Sequence, residues 1–362
     1  MNAIIPPAHK VHPRPLPKWR WLPQFFSNPL SIYSEDAFER TFGRAKAFGI
    51  ETVAVADAEA IQHVMKTNMD TYVRPVIQAR LFRPVMGEGV FLAEGGDWRR
   101  QRRMLAPVFS PAATSDLMPH FESAAEGMVA RLNGVQRVRL TEVFHRAALD
   151  AVLKALFSLE ADESRAGMTR LARQYLEGAG RPSVLDAVAP DETSFGWVFG
   201  ARHKFRRTWT ALVDEVIATR SAAGNDGSPK RGDLLDLLLA ARDPQSGAAL
   251  DGGEIRDQCA TLLAAGFETT SRLLFWAAYL LNLDQAEQDR VRADGSRLRN
   301  VLLEALRLYP PVAYVVRKAI RDDVVMGQAI KAGTEVWISP YIIHRHRKYW
   351  DQPTAFVPDR FA

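Results

Sequence analysis

The chain has 362 residues, of which 47% are hydrophobic and 25% are charged, and its formal net charge is +5. This composition is that of a globular protein and excludes a disordered, fibrous or membrane-embedded chain. Cys259 is the one cysteine, which excludes an internal disulfide and a zinc site of paired cysteines and favours a reducing compartment. The small positive charge is weak evidence for nucleic acid, which we do not expect as a partner.

The first 35 residues are rich in proline and basic residues and contain no uninterrupted apolar stretch. A signal peptide or a membrane anchor needs such a stretch, so we predict a cytoplasmic protein without a membrane anchor. Further along, hydrophobic periodicity predicts mainly helices, with a minor set of short strands near both ends. The predictions are helices at 36–47, 58–68, 97–105, within 116–180, and at 234–242, 254–282 and 297–309, strands at 51–56 and after 311, and loops at 69–96 and 221–233.

The predicted helix 254–282 is apolar on every side in its second half, LLFWAAYLL, as a helix buried in a core or a membrane is. Glu268 and Arg272 place charges near its middle, which argues against a membrane span. Gly266 costs about 1 kcal/mol relative to alanine in a helix interior, and Thr269 can bond to a carbonyl four residues earlier. Such penalties in a buried helix indicate a functional site, although a kinked core helix packed against another helix explains them equally well.

The segment Ala265-Gly-Phe-Glu-Thr-Thr270 resembles the oxygen-activation motif of the cytochrome P-450 family. The resemblance implies that Ala265 and Gly266 leave space for a heme (iron protoporphyrin IX). Thr269 would then hydrogen-bond dioxygen at the iron, and Glu268 would help to relay protons. The family fold that the resemblance implies is mainly α with a minor β region, here as a single domain over residues 1–362 that is incomplete at its C-terminus.

Glu304 and Arg307 lie three residues apart in a predicted helix, so they share one face and can pair. Glu287 and Arg290 have the same spacing, and we predict for them a solvated ion pair of little energetic value. The context of Glu304 is different, because it sits in the apolar run VLLEALRLYPP, where a buried pair needs additional partners.

The run EALRLYPP is similar to the signature helix of the same family, and Phe356-Val-Pro-Asp-Arg360-Phe is similar to its Pro-x-Arg-Phe element. The resemblance implies that Glu304, Arg307 and Arg360 form a buried triad. Guanidinium groups suit this arrangement, because they pair with one carboxylate through two parallel hydrogen bonds. The implied role is structural support of the heme-binding core rather than catalysis.

The run Trp98-Arg-Arg-Gln-Arg102 fits the family's Trp-x-x-x-Arg pattern, although on its own it fits better an amphipathic surface helix with a buried tryptophan. The resemblance implies that Trp98 and Arg102 bind a heme propionate and that Arg317 holds another propionate-facing position. This side of the family docks the electron donor, and basic residues would attract an acidic ferredoxin or flavoprotein. The residues expected to face solvent here are Arg99, Arg100 and Arg103.

In the family, the loop Phe-x-x-Gly-x-Arg-x-Cys-x-Gly follows the Pro-x-Arg-Phe element and supplies the thiolate ligand of the heme iron. This sequence ends at Ala362, directly after that element, so we expect the axial cysteine beyond Ala362 and no metal ligand within the chain. Cys259 is predicted to be a buried apolar residue instead. His344 and His346 are rejected as ligands, because two histidines at this spacing are a weak signal.

The family's substrate pocket corresponds to residues 72–90, 175–200, 261–270 and 312–316, which offer an apolar wall for a hydrophobic substrate. We expect a monomeric monooxygenase that inserts one atom of O2 into a hydrophobic small molecule. Its electrons would come from NAD(P)H through a ferredoxin or flavoprotein reductase. The alternatives are an inactive fragment of such an enzyme and a non-enzymatic helical protein that binds hydrophobic ligands. The residues predicted to line the pocket are Phe82, Leu262, Phe267, Val312 and Ala313.

Overall fold

The computed structural model describes residues 4–47, 49–159, 167–168, 170–171, 174–175, 178–181, 186, 196–222 and 232–362. The chain divides into two units, one formed by Met1–Pro75 with Leu273–Ala362 and the other by Val76–Arg272. We call the first the sheet unit and the second the helical unit. Within the described ranges, no helix combines the length and the apolar character needed to cross a membrane.

The strands of the sheet unit are β1 (Phe42–Ala47), β2 (Ile50–Val55), β3 (Tyr72–Val73), β4 (Val315–Ala319), β5 (Asp323–Val325), β6 (Gln328–Ile330) and β7 (Glu335–Ile338). One sheet has the order β1-β2-β7-β4-β3, in which β2 and β7 are parallel and the other neighbours are antiparallel. Val53 lies opposite Val336 and Val55 opposite Ile338, and all four are buried. The alternation predicted for 51–56 is therefore confirmed.

The helices, in chain order, are α1 (Lys18–Ser27), α2 (Ala58–Gln62), α3 (Val76–Met86), α4 (Gly95–Leu105), α5 (Pro111–Asp116), α6 (Met118–Leu132), α7 (Leu140–Phe157), α8 (Gly196–Ala222), α9 (Leu234–Ala240), α10 (Gly252–Leu283), α11 (Gln285–Ala293), α12 (Leu298–Leu308) and α13 (Pro340–Ile343). The predicted helices 97–105, 234–242, 254–282 and 297–309 are confirmed to within two residues. The predicted helix 58–68 is also confirmed, because a π-helical turn, His63–Thr67, continues α2. The predicted loop 221–233 lies mostly outside the described residues.

The predicted helix 36–47 is wrong. A short 3-10 turn, Glu35–Phe38, is followed by β1, which pairs with β2 from Phe42 opposite Val55 to Ala47 opposite Ile50. Cross-strand pairing decides the structure of this segment, which the local sequence pattern does not reveal. The loop predicted at 69–96 is wrong as well, because α3 lies within it. Pro84 lies inside this helix, in the same turn as the buried residues Val85 and Met86.

The apolar second half of α10 lies in a core of the sheet unit. Leu280 is fully buried there together with Val301 and Ala305 of α12. Trp276 stacks on Tyr309 with ring centroids 3.7 Å apart, which fixes α10 against the end of α12. All nine residues of the run LLFWAAYLL are buried or half-buried and none is exposed, so packing within the protein explains this apolar run without a membrane.

The core of the helical unit is formed by α7, α8, α9 and the first part of α10. Trp209 of α8 is 2% exposed, and its indole N–H donates to the carbonyl of Val85 over 2.7 Å. Thr261 of α10 donates to the carbonyl of Met86 over 3.0 Å. A Cβ at Gly89 would lie 2.3 Å from the Thr261 hydroxyl, so only glycine permits this close approach to α10.

The hairpin β5–β6 generates a prediction about stability. Its two-residue turn, Met326-Gly327, has φ values of 53° and 73°, so both residues are left-handed, as in a type I′ turn. Methionine is strained there by about 1 kcal/mol, whereas asparagine tolerates this conformation. Met326→Asn should therefore raise the free energy of unfolding by about 0.5–1 kcal/mol, measured by chemical denaturation. The control Met326→Ala should give no such gain, and equal stabilities of the two variants would contradict the turn assignment.

Candidate active site

Glu304 and Arg307 form a buried ion pair in the sheet unit, with relative exposures of 0% and 2%. Nε and Nη2 of Arg307 donate to the two carboxylate oxygens over 2.6 and 2.7 Å. The other three N–H groups of Arg307 donate to backbone carbonyls, those of His344 and Pro353 at 2.7 Å and that of Ala355 at 2.9 Å. A guanidinium has five N–H donors, so none of those of Arg307 is left unsatisfied by its burial.

Arg360 completes the predicted triad. Its Nε lies 3.4 Å from Oε1 of Glu304, and the backbone N–H of Val357 donates to the same oxygen over 2.9 Å. Nη2 of Arg360 donates to the carbonyl of Gln352 over 2.9 Å. The structure thus brings Glu304, Arg307 and Arg360 together, and their support of a heme-binding core stays a prediction.

The prediction of a solvated pair at Glu287 is wrong. Glu287 is fully buried, and Arg290 and Arg297 both form ion pairs with it, with shortest N–O distances of 2.8 and 3.0 Å. Arg297 also donates to Asp359 over 2.6 Å, and Asp359 precedes Arg360 in the chain. We call Glu287, Arg290, Arg297 and Asp359 the Glu287 network. The spacing of Glu287 and Arg290 resembles that of an exposed helix pair, so local sequence gives no signal of this burial.

Thr269 and Ala265 are one helical turn apart on α10. The Thr269 hydroxyl donates to the carbonyl of Ala265 over 2.6 Å, the back-bond that the sequence predicts. Thr269 is half-buried, whereas the neighbouring Thr270 is exposed. The Ala265–Thr269 face of α10 therefore presents a hydroxyl held by the backbone beside a methyl group.

Gly266 lies where α10 comes close to α7. A Cβ at this position would lie 2.8 Å from Cγ2 of Val152, closer than real Cβ contacts come. Close packing of two helices is thus one reason for glycine here, as the kinked-core-helix alternative expected. The role of Gly266 in leaving space for a heme stays a prediction.

Glu268 is held by two cationic or donor groups in the helical unit. Its Oε2 lies 3.1 Å from Nε2 of His145, and Nε of Arg272 donates to its Oε1 over 2.8 Å. Burial alone would raise the pKa of Glu268, but the hydrogen bond from His145 and the charge of Arg272 hold that pKa at about 2. Glu268 is therefore ionised at neutral pH. No sequence spacing could reveal His145 as its partner, because α7 and α10 are far apart in the chain.

Two arginines of the basic helix α4 are paired with acidic residues of the same unit. Arg100 pairs with Glu254, and Arg103 donates to the carboxylate of Asp243 over 3.1 and 3.3 Å. The prediction that Arg99, Arg100 and Arg103 face solvent is therefore wrong for Arg100 and Arg103, which are half-buried against these acidic residues, whereas Arg99 is exposed. Arg102 is exposed, and its side chain has no ion-pair partner within the described part of the chain.

The other predicted contacts are divided between the two units. Trp98 is half-buried one turn from Arg102 in the helical unit. In the same unit, Phe82 packs edge-to-face on Phe91 with centroids 5.4 Å apart, Leu262 is partly buried and Phe267 is 2% exposed. The predicted pocket segment 175–200 lies largely outside the described residues. The predicted residues of the sheet unit are Arg317, which donates to the Val316 carbonyl over 2.9 Å, Ala313, which is partly buried, and Val312, which is 51% exposed.

The rejected metal ligands are buried. Cys259 is fully buried in the helical unit, and this burial raises the pKa of its thiol to about 12, so it is not a ready thiolate. His346 is fully buried in the sheet unit, where its Nδ1 accepts from the Lys348 N–H over 3.2 Å. Burial also lowers the pKa of His344. Across the described ranges, no three His, Cys, Asp or Glu residues form a cluster that could hold a metal ion.

Comparisons with known proteins identify the family. The model of the family "Cytochrome P450" matches residues 39–362, so the chain belongs to the cytochrome P450 family. It is 27% identical over 364 residues to cytochrome P450 97B2 of Glycine max, which covers 87% of this chain and 63% of that protein. It is 30% identical over 300 residues to cyclooctatin synthase of Streptomyces melanosporofaciens, which covers 77% of this chain and 64% of that protein.

A solved structure confirms the fold. The heme domain of cytochrome P450DA matches with a TM-score of 0.77 at 22% identity, covering 98% of this chain and 82% of that one. The predicted mainly α fold with a minor β region is therefore confirmed. The chain spans 63% and 64% of the lengths of the two curated relatives, which is less than two thirds of either.

The buried triad generates a prediction about stability. Arg307→Lys keeps one positive charge but removes the paired hydrogen bonds to Glu304 and leaves buried carbonyls without donors. We expect a loss of about 3–5 kcal/mol in the free energy of unfolding, measured by denaturant titration. Arg292→Lys is the matched control, because Arg292 pairs with Asp289 at the same helical spacing while 66% exposed. Its effect should stay within about 0.5 kcal/mol, and similar losses in both variants would contradict the assigned role of Arg307.

The contact of Gly266 with Val152 generates a second prediction. Gly266→Ala should lower the free energy of unfolding by about 1–3 kcal/mol, because a methyl group does not fit there. Val152→Ala in the same chain should relieve the overlap, so the double variant loses less than the sum of the two single variants. The control Gly200→Ala on α8 meets nothing within 4 Å and should gain about 1 kcal/mol from helix propensity. Additive losses at positions 266 and 152 would exclude the packing explanation.

Proposed function

We propose that the protein is a heme-dependent monooxygenase. The overall reaction is RH + O2 + two electrons + two protons, giving ROH and water. The observation that supports it most is the Ala265–Thr269 face of α10 with ionised Glu268 beside it, in a chain of the cytochrome P450 family. The bound heme would supply the activation of dioxygen, and the protein would position the reactants and move protons.

Several residues fit a heme. Arg102 offers an exposed guanidinium that no carboxylate of the described residues pairs with, which suits a heme propionate, with Trp98 one turn away. Arg317 is the second candidate for a propionate. Ala265 presents a methyl group on the face where the macrocycle would lie. Because Cys259 is buried and protonated, a thiolate that holds the heme iron would have to come from outside residues 1–362.

Thr269 and Glu268 are proposed to handle protons. In the present arrangement the Thr269 hydroxyl donates to Ala265, so its oxygen lone pairs are free to accept a hydrogen bond while its proton is held. With a heme in place, the hydroxyl could turn from the Ala265 carbonyl and donate to dioxygen on this face of α10. Ionised Glu268 is an acceptor that can take up a proton from solvent and pass it on when it turns toward Thr269.

The substrate is proposed to be a hydrophobic small molecule. Phe82, Leu262 and Phe267 of the helical unit supply apolar surface for it, and the role of Val312 and Ala313 stays a prediction. Electrons are proposed to come from NAD(P)H through a ferredoxin or flavoprotein reductase. The monomeric state, the cytoplasmic location and the lack of a nucleic-acid partner stay predictions.

The proton-handling role of Thr269 is tested in the heme-loaded full-length protein. Thr269→Ala should release several-fold more hydrogen peroxide and form less product per NAD(P)H consumed, because protons no longer reach the bound oxygen in order. The measurement combines oxygen uptake, peroxide and product. Thr270→Ala is the matched control because Thr270 is exposed, and this variant should form as much product per NAD(P)H consumed as the native enzyme.

Three results would contradict the proposed function. Unchanged coupling in Thr269→Ala would exclude the role of Thr269. The absence of a thiolate-type Soret band in the reduced, CO-bound full-length protein would favour the inactive or purely ligand-binding alternative. Binding of a hydrophobic ligand that does not change when heme is absent or when Thr269 and Glu268 are replaced would favour the non-enzymatic ligand-binding protein.

A further inference from the structure

Both ring nitrogens of His145 face hydrogen-bond acceptors. Nδ1 lies 2.6 Å from the carbonyl oxygen of Thr141, one turn earlier on α7. Nε2 lies 3.1 Å from Oε2 of Glu268 on α10. A carbonyl oxygen only accepts, and an ionised carboxylate only accepts, so each contact requires an N–H on the ring. The arrangement therefore requires an imidazolium, with both nitrogens protonated.

The charged groups around His145 support this assignment. On α10 the groups next to it are Glu268 and Arg272, and Arg272 is bound to the other carboxylate oxygen of Glu268. On α7 itself, Glu142 is exposed and paired with Arg139. The side chain of His145 is 17% exposed and that of Glu268 is 25% exposed, so solvent weakens their attraction only in part.

We propose that His145 is a positioning residue that, as an imidazolium, holds ionised Glu268 against α7. This inference rests on the proposed function, in which Glu268 carries protons toward Thr269. Both carboxylate oxygens of Glu268 are occupied, one by His145 and one by Arg272. Glu268 must therefore leave His145 or Arg272 before it can turn along α10 toward Thr269. Arg272 is 59% exposed and belongs to the same helix, so His145 is the contact that ties Glu268 to a second helix.

The contact between His145 and Glu268 depends on the proton that the ring nitrogen Nε2 carries. When the imidazolium loses its proton, one ring nitrogen presents a lone pair to the carbonyl of Thr141 or to the carboxylate of Glu268. If the ring loses its proton from Nε2 to solvent, a lone pair faces the carboxylate of Glu268 at 3.1 Å and this contact is lost. Transfer of the Nε2 proton from His145 to Glu268 would instead load the carboxyl and replace the ion pair by a weaker neutral O–H···N hydrogen bond, and no electrons are exchanged.

The first test measures the titration of Glu268 by carbon-13 NMR of the full chain without heme. In the native protein the carboxyl should titrate near its pKa of about 2. In His145→Ala its midpoint should rise by about one pH unit or more, because one donor and one nearby positive charge are lost. His145→Gln, which keeps a neutral donor, should give a smaller rise. The control Arg146→Ala removes an exposed charge from the same helix and should leave the midpoint within about 0.3 units.

The second test leaves His145 in place. With nitrogen-15-labelled histidine at pH 7, both ring nitrogens of His145 should show the shifts of protonated nitrogens in the native chain. In Glu268→Gln one of them should become unprotonated. Identical His145 spectra in the two proteins, or an unmoved Glu268 midpoint in His145→Ala, would overturn the proposal. Neither test needs heme, so they can fail while Thr269→Ala still uncouples the enzyme, and they can succeed when it does not.

Discussion

The structure of the C-terminal part of the sheet unit depends on one constraint, the fully buried carboxylate of Glu304. A buried charge is tolerated only when its partners are complete, because an unpaired one costs several kcal/mol. Arg307 pairs with it and must in turn satisfy three further N–H groups, which it does on the carbonyls of His344, Pro353 and Ala355. The backbone from 344 to 355 is thus fixed by one side chain. This segment has little regular structure after α13, so side-chain donors take the place of a backbone ladder.

The final turn, Pro358–Phe361, is held by two ionic networks, which it joins through two residues of opposite charge. Its Asp359 is the anion for Arg297 of the Glu287 network, and its Arg360 is the cation beside Glu304. Two adjacent residues therefore anchor the turn to two buried carboxylate centres. Removal of either centre leaves the other in place, but the orientation of the turn is then fixed by one contact instead of two.

The sequence predicted the parts of the fold that depend on long helical periodicity, such as α10 and α12, and on simple alternation, as in β2. It failed at β1, whose strand structure comes from pairing with β2, and at α3, whose residues Val85 and Met86 are buried in a core that only the folded chain forms. Motif order predicted that Glu304, Arg307 and Arg360 meet. It missed the burial of Glu287 and the partnership of His145 with Glu268, because both depend on residues that only the folded chain brings together.

The chain's single thiol, Cys259, is enclosed on all sides and stays protonated at any ordinary pH. Reagents that modify sulfhydryl groups need an accessible thiolate, and residues 1–362 offer none. Within this chain of 362 residues, a cysteine introduced at an exposed position would thus be the one site that a maleimide dye or spin label reaches. Pairs of such labels, placed in the sheet unit and the helical unit, would report the distance between the two units without prior removal of Cys259.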